Sequence, residues 1–110
     1  MRDIQLPIDG TALDLPDARL RYFKNFFNRS DSVHFYNTLL EDTPWQQDPI
    51  TIFGKTYDQP RLTALYAYNS NPYSYAGITM NPHKMTPTLT KIYDRVRKES
   101  PVEFTSVLLN

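Results

Sequence analysis

Cysteine is absent from the 110-residue chain, which excludes both a disulfide framework and a thiolate metal site and suits a reducing compartment. Glycine is scarce: Gly10, Gly54 and Gly77 stand too far apart to build a glycine-rich loop that cradles phosphates. The two histidines, His34 and His83, have no second histidine or carboxylate at ligand spacing, so each is read as structural or solvated. The serines at 30, 32, 74 and 106 lack a neighbouring histidine and acid arranged for nucleophilic activation. No run of apolar residues is long enough for a signal peptide or a membrane span, since Met1-Arg2-Asp3 leads directly into Leu6-Pro7-Ile8-Asp9-Gly10. The chain is therefore read as soluble, and it carries no self-sufficient catalytic constellation.

Charge is balanced overall, with 12 Lys and Arg against 12 Asp and Glu, but the halves differ. Residues 1–48 hold five basic and eight acidic groups, and residues 49–110 hold seven and four. The second half is the better candidate for facing a polyanion, although solvated faces produce the same asymmetry. A chain this short forms one domain at most and buries about 65% of its unfolded surface.

Taken in order, residues 1–18 mix Pro7, Gly10, Pro16 and several aspartates with few large apolar groups, and are expected to form an arm laid over the surface. Leu20 to Phe27 reads as a short strand running into a turn. Ser30 or Asp31 is expected to cap a helix through Glu41, with Val33, Tyr36, Leu39 and Leu40 as a stripe that packs on a sheet. Thr43-Pro44 ends it, because a residue before proline is pushed out of the helical region. Ile50 to Tyr66 shows period-two patterning broken by Gly54-Lys55 and Asp58-Gln59-Pro60, which predicts a hairpin over about 50–66 with Phe53 beside its tip. A polar loop follows, and about 73–80 reads as one strand with Tyr73 and Tyr75 on a common face. Thr86 is expected to cap a second helix over about 87–99, with Pro87 at its first position and Leu89, Ile92, Tyr93 and Val96 buried. Glu103 to Leu109 is apolar and β-prone; left unpaired along an edge, it is expected to favour self-association.

Five segments in this order and spacing, Pro44-Trp45-Gln46-Gln47-Asp48, Ile52-Phe53-Gly54-Lys55, Pro60-Arg61-Leu62-Thr63, Tyr73-Ser74-Tyr75-Ala76-Gly77 and Phe104-Thr105-Ser106-Val107-Leu108-Leu109-Asn110, resemble AlkB-like nucleic-acid dealkylases. These are iron(II)- and 2-oxoglutarate-dependent oxygenases, and the double-strand DNA repair branch is the nearer match. The resemblance covers roughly residues 20–110. It implies an α+β chain in which a nucleotide-recognition lid precedes the first elements of a double-stranded β-helix, or jelly-roll, core, cut before the iron site. Residues 1–18 would then be the N-terminal arm and 19–110 the first part of the dioxygenase domain. The family's His-x-Asp iron motif, distal histidine and 2-oxoglutarate arginines lie beyond Asn110. Tyr66-Ala67-Tyr68 stands where the family has Tyr-Gly-Asp, and Phe104-Thr105 where it has Phe-Asn.

Carried over residue by residue, the resemblance makes Phe53, flanked by Gly54 and Lys55, the hydrophobic finger that fills the gap left by a flipped base. A core or subunit contact is the alternative reading of Phe53. Tyr73 and Tyr75 match positions that stack on and hydrogen-bond the extruded base, while alternating tyrosines are also ordinary in half-buried strands. Arg61 matches a duplex-contacting arginine and Lys55 is placed for a phosphate; both also read as solvated hairpin charges. Asn110 matches a 2-oxoglutarate contact. The expected partner is alkylated double-stranded DNA, with single-stranded DNA and RNA left open and no membrane. The compartment would be a bacterial cytoplasm or a eukaryotic nucleus. Two further readings stand beside a dealkylase portion: a separate nucleic-acid-binding module without an oxidase half, and a small β-rich interaction protein. With no two-histidine, one-carboxylate set in its sequence, the purified chain should form no succinate above a protein-free control when given iron(II), 2-oxoglutarate and methylated DNA; turnover above that control would refute the reading.

Overall fold

The computed structural model describes residues 9–75 and 77–110, with the side chains of Asp14 and Tyr75 outside the description. The described residues form an α+β arrangement of two helices and nine short strands. They fall into two compact units, one ending at His34 and the other running from Phe35 to Asn110.

In the first unit, β1 (Ala12–Leu15) and β2 (Ala18–Arg21) make an antiparallel hairpin. Its turn places Asp17 at φ 53, a left-handed conformation that aspartate tolerates better than most residues. The stretch expected as a surface arm thus contributes a strand, because Ala12 to Leu15 finds a partner in a segment only a few residues on. A bond from the Gly10 amide to the Tyr22 carbonyl, 3.0 Å, extends the ladder. Phe23, Phe26 and Phe27 stack edge to face at centroid separations of 5.3 and 5.0 Å.

Helix α1 (Arg29–Asp42) starts one residue before the expected caps. The reason is Asn28, whose side-chain oxygen accepts the Asp31 amide at 2.7 Å and so performs the N-cap role. Its stripe departs from expectation: Val33, Tyr36 and Leu40 are exposed, and Leu39 alone of the four packs on the core. Position along a helix establishes that side chains share a face, not that another element covers it.

The second unit is built around β5 (Ala64–Ala67), whose four residues are all buried. It is the middle of a three-stranded sheet, parallel to β8 (His83–Lys84) and antiparallel to β9 (Ser106–Leu109), with Ala64 opposite Leu109 and Tyr66 opposite Val107. Successive side chains on a strand leave by opposite faces, and here both faces have cover. Ala64 and Tyr66 pack with Leu89 of α2 (Pro87–Glu99) and with Leu39, Met85, Ile92, Val107 and Leu109. Leu65 packs with Ile78 and Met80 of β7 (Ile78–Met80), joined by Ile50.

Helix α2 matches its expectation closely. Thr86 Oγ1 accepts the Leu89 amide at 3.2 Å and Pro87 occupies the first turn; of the expected stripe Leu89 and Tyr93 are buried, and Ile92 and Val96 are half-buried. Arg97 and Lys98 sit in the last turn, where cations suit the helix dipole.

One hairpin is tighter than the sequence pattern predicts, and a second forms where a single strand was expected. β3 (Pro49–Ile52) pairs with β4 (Lys55–Asp58) rather than with the 62–66 run, so the hairpin spans 49–58. The bend is made by Phe53 and Gly54 alone, and Gln59 to Thr63 is a separate connector. Likewise 73–80 is not one strand: β6 (Tyr73–Tyr75) folds back on β7 across Gly77, at φ 78. Glycine adopts that backbone at no steric cost.

Leu89→Ala should lower unfolding free energy by about 2–5 kcal/mol, because it empties a site at the junction of helix and sheet, whereas Leu40→Ala, exposed on α1, should change it by about 0.5 kcal/mol or less. Denaturant melts of the two variants check the contrast.

Candidate functional site

The 49–58 hairpin is short and exposed, and everything about its tip depends on a two-residue turn. Phe53 lies at φ 50 and Gly54 at φ 78, the pair of left-handed conformations that a type I′ turn requires and that Asn-Gly satisfies best. Glycine meets that demand freely. Phenylalanine does not, since a left-handed backbone costs an L-residue with a bulky side chain roughly 1–2 kcal/mol. The ring gains nothing in return within this chain, being fully exposed at 102%. Burying it elsewhere would have gained about 1.5–3 kcal/mol. Backbone strain and exposed apolar surface at one residue are both costs to folding, and together they point to a role outside the fold. A core role for Phe53 is inconsistent with this exposure, whereas a subunit contact is compatible with it.

Register holds the tip out. Ile52 pairs with Lys55 next to the turn, then Thr51 with Thr56, Ile50 with Tyr57 and Pro49 with Asp58. The Thr51 and Thr56 hydroxyls hydrogen-bond across the ladder at 3.2 Å. At its root, Ile50 is fastened to the Leu65, Ile78 and Met80 cluster, and the Gln59 amide donates to the Asp48 carbonyl at 3.1 Å. The Gln47 side-chain amide donates to the Gln59 carbonyl at 2.8 Å. Gln46 and Thr63 exchange backbone bonds of 3.0 and 2.9 Å, which joins the hairpin's approach to the start of β5.

The other sequence-derived residues fall as follows. Gly54, Lys55 and Arg61 are exposed, Lys55 directly after the turn and Arg61 in the connector that follows the hairpin. Tyr73 is half exposed, at 51%, opposite Met80 in the register; Tyr75 is opposite Ile78, and its side chain lies outside the described residues. The outward face of this second hairpin carries a Ser74–Thr79 hydroxyl contact of 3.0 Å. Asn110 is exposed and stands apart from these hairpins, at the rim of an apolar groove of about 510 Å³ lined by Tyr36, Leu39, Leu40, Trp45, Leu62 and Leu109. Among the described residues, no three His, Asp or Glu side chains are grouped so as to hold a metal ion, so the residues present do not fit an iron site.

Sequence reasoning missed Tyr57. With Gly54-Lys55 and Asp58-Gln59-Pro60 read as the bend, no strand is expected over Lys55–Asp58, where this residue alternates with Thr56 and Asp58. The signal was available in Phe53-Gly54, since a two-residue turn needs only those two positions and releases Lys55 to Asp58 as a strand.

No family model matches the chain. It is similar to the alpha-ketoglutarate-dependent dioxygenase alkB homolog 3 of Homo sapiens, 34% identical over 95 residues that make up 84% of this chain and 32% of that protein. The bovine protein of the same name is 39% identical over 95 residues, again 84% of this chain and 32% of the relative. The DNA oxidative demethylase ALKBH2 of Mus musculus is 33% identical over 128 aligned positions, covering all of this chain and 54% of that protein. The chain thus spans between a third and about half of the length of these relatives.

Phe53→Asn should raise the unfolding free energy by about 1 kcal/mol, since asparagine accepts the left-handed turn position that phenylalanine resists. Phe53→Ala should change it far less than the ~3–5 kcal/mol loss of a buried phenylalanine. Thermal melts decide; a sharp fall for either variant would show that Phe53 supports the fold.

Proposed function

Because this chain belongs to the AlkB-like dioxygenases, of whose members it spans only a part, we propose that it serves as the DNA- and base-recognition part of an enzyme that oxidatively dealkylates N-alkylated bases. The observation that carries the proposal is Phe53, an apolar ring fully exposed on a strained hairpin tip. An enzyme acting on a base must take that base out of the stack, and an apolar wedge left between base steps offsets a few kcal/mol of unstacking. Pre-forming the left-handed turn during folding means that none of that ordering has to be done at the moment of insertion.

Around the wedge, each exposed cation has a place. Lys55, adjacent to the turn, is positioned for a phosphate of the invaded strand, and Arg61, in the connector, for a second. Contacts of this kind set register and affinity without reading sequence. Tyr73 offers a half-exposed ring and phenol to the extruded base, with Tyr75 two residues along the same strand; base stacking is worth about 1–3 kcal/mol. The β3–β4 hairpin and the β6–β7 hairpin then act as a nucleotide-recognition lid. The β8–β5–β9 sheet with α2 forms the first elements of a jelly-roll core, and residues 1–18 an N-terminal arm.

Iron(II) and 2-oxoglutarate are the family's cofactors, and oxidation of the alkyl group requires them. The described residues offer no iron site, so the oxidative step is not assigned to this chain. Asn110 is proposed as a contact to 2-oxoglutarate. No helix among the described residues is long and apolar enough to cross a membrane; the proposed compartment is a bacterial cytoplasm or a eukaryotic nucleus. β9 pairs with β5 on one edge, and self-association through its other edge is part of the same proposal.

Binding measured with matched methylated oligonucleotides tests the finger assignment. Phe53→Ala should weaken binding to duplex DNA by about tenfold or more while leaving single-strand binding nearly intact, because no gap needs filling where the strand is already unstacked. Equal weakening on both substrates, accompanied by a large loss of thermal stability, would overturn it.

A further inference from the structure

The 49–58 hairpin has two faces of opposite character. Alternation and register place Ile50, Ile52, Lys55 and Tyr57 on one face, and Pro49, Thr51, Thr56 and Asp58 on the other; the Thr51–Thr56 hydroxyl contact of 3.2 Å agrees with that division. The first face carries a cation and no acid. The second carries an acid and no cation. A polyanion therefore meets complementary charge on the first face only.

That same face meets an apolar cluster to which the second hairpin contributes. Ile50 packs against the cluster of Leu65, Ile78 and Met80, and Met80 lies opposite Tyr73 in the β6–β7 register. The Ile50 face of one hairpin and the Tyr73 face of the other therefore share one apolar floor. Tyr57 is 51% exposed, Tyr73 51% and Ile52 48%, so about half of each side chain is accessible to a ligand. Accessible aromatic rings are suited to a planar partner with a π face, which every nucleobase has.

Resting on the reading above, we propose that Tyr57 is a further aromatic of the base-binding face, and that a DNA strand runs along the Ile52, Lys55 and Tyr57 side of the finger hairpin. Lys55 meets the phosphates, and Tyr57 and Tyr73 meet bases. The threonine side faces away from the nucleic acid.

The test is fluorescence anisotropy of the 110-residue chain with a labelled single-stranded oligodeoxynucleotide, alongside thermal melts. Tyr57→Leu should raise Kd about 5- to 100-fold, the range expected for loss of one stacked base. Tyr57→Phe should restore binding, and Thr56→Val, on the opposite face, should leave Kd within about twofold of the parent chain. A Tyr57→Leu variant that binds as tightly as the parent, while Tyr73→Leu binds more weakly, overturns this inference and leaves the broader reading standing. Failure of the parent chain to bind at all overturns both. If Tyr57→Leu melts below the assay temperature, Tyr57→Trp decides: equal or tighter binding supports stacking, and tenfold weaker binding rejects it.

Discussion

The second unit depends on a strand that has no solvent face. Every residue of Ala64–Ala67 is buried, so the backbone groups of β5 have to be paired by neighbouring strands and both rows of its side chains have to be covered, since an unsatisfied polar group out of water is costly. β8 and β9 take the two edges, α2 takes one face, and the β6–β7 hairpin with Ile50 takes the other. The composition fits the location: alanines at the ends keep the neighbours close, and leucine and tyrosine between them fill one side each. The β3–β4 hairpin inherits its position from this arrangement, because Ile50, at its root, is part of the cover.

Two kinds of exposed apolar residue are present, and physical chemistry separates them. On α1, Val33, Tyr36 and Leu40 are exposed on an ordinary helical backbone. Such exposure is common on protein surfaces and says little by itself. Phe53 differs because exposure coincides with a positive φ, so the position is unfavourable twice over. Neither the packing nor the backbone of this fold accounts for phenylalanine at that position, which is why the proposed function rests on it.

The parts that were legible in the sequence are those governed by local rules. Thr86-Pro87 with its downstream stripe gave α2 nearly to the residue, because cap, first-turn proline and periodicity all act within a few positions. The recognition roles proposed for Phe53-Gly54-Lys55, Arg61 and the Tyr73-Ser74-Tyr75 segment come from family resemblance, not from their composition. Strand partnership was harder. Leu62 to Tyr66 has the pattern of a hairpin arm, yet its partners are residues 83–84 and 106–109, and nothing local in the chain encodes a pairing over that separation. The burial of the α1 stripe was overestimated for a related reason: periodicity reports which residues align, while cover depends on elements distant in sequence. Asn28 was missed as the helix cap because Ser30 and Asp31 are equally good capping types, and only the bond to the Asp31 amide distinguishes them.

The pairing of β5 with β9 also sets an order of events. Each of the three hairpins closes between segments a few residues apart, so loop closure costs little and each is free to form on the microsecond scale typical of hairpins. The central strand has no such local partner. Its antiparallel neighbour lies about forty residues downstream, and contacts of that separation are the ones that slow folding. During synthesis the β3–β4 hairpin is therefore complete while the central strand is still an unpaired, largely apolar segment. The same non-local ladder that completes the central sheet in the folded protein leaves that sheet as the last part to become safe from aggregation.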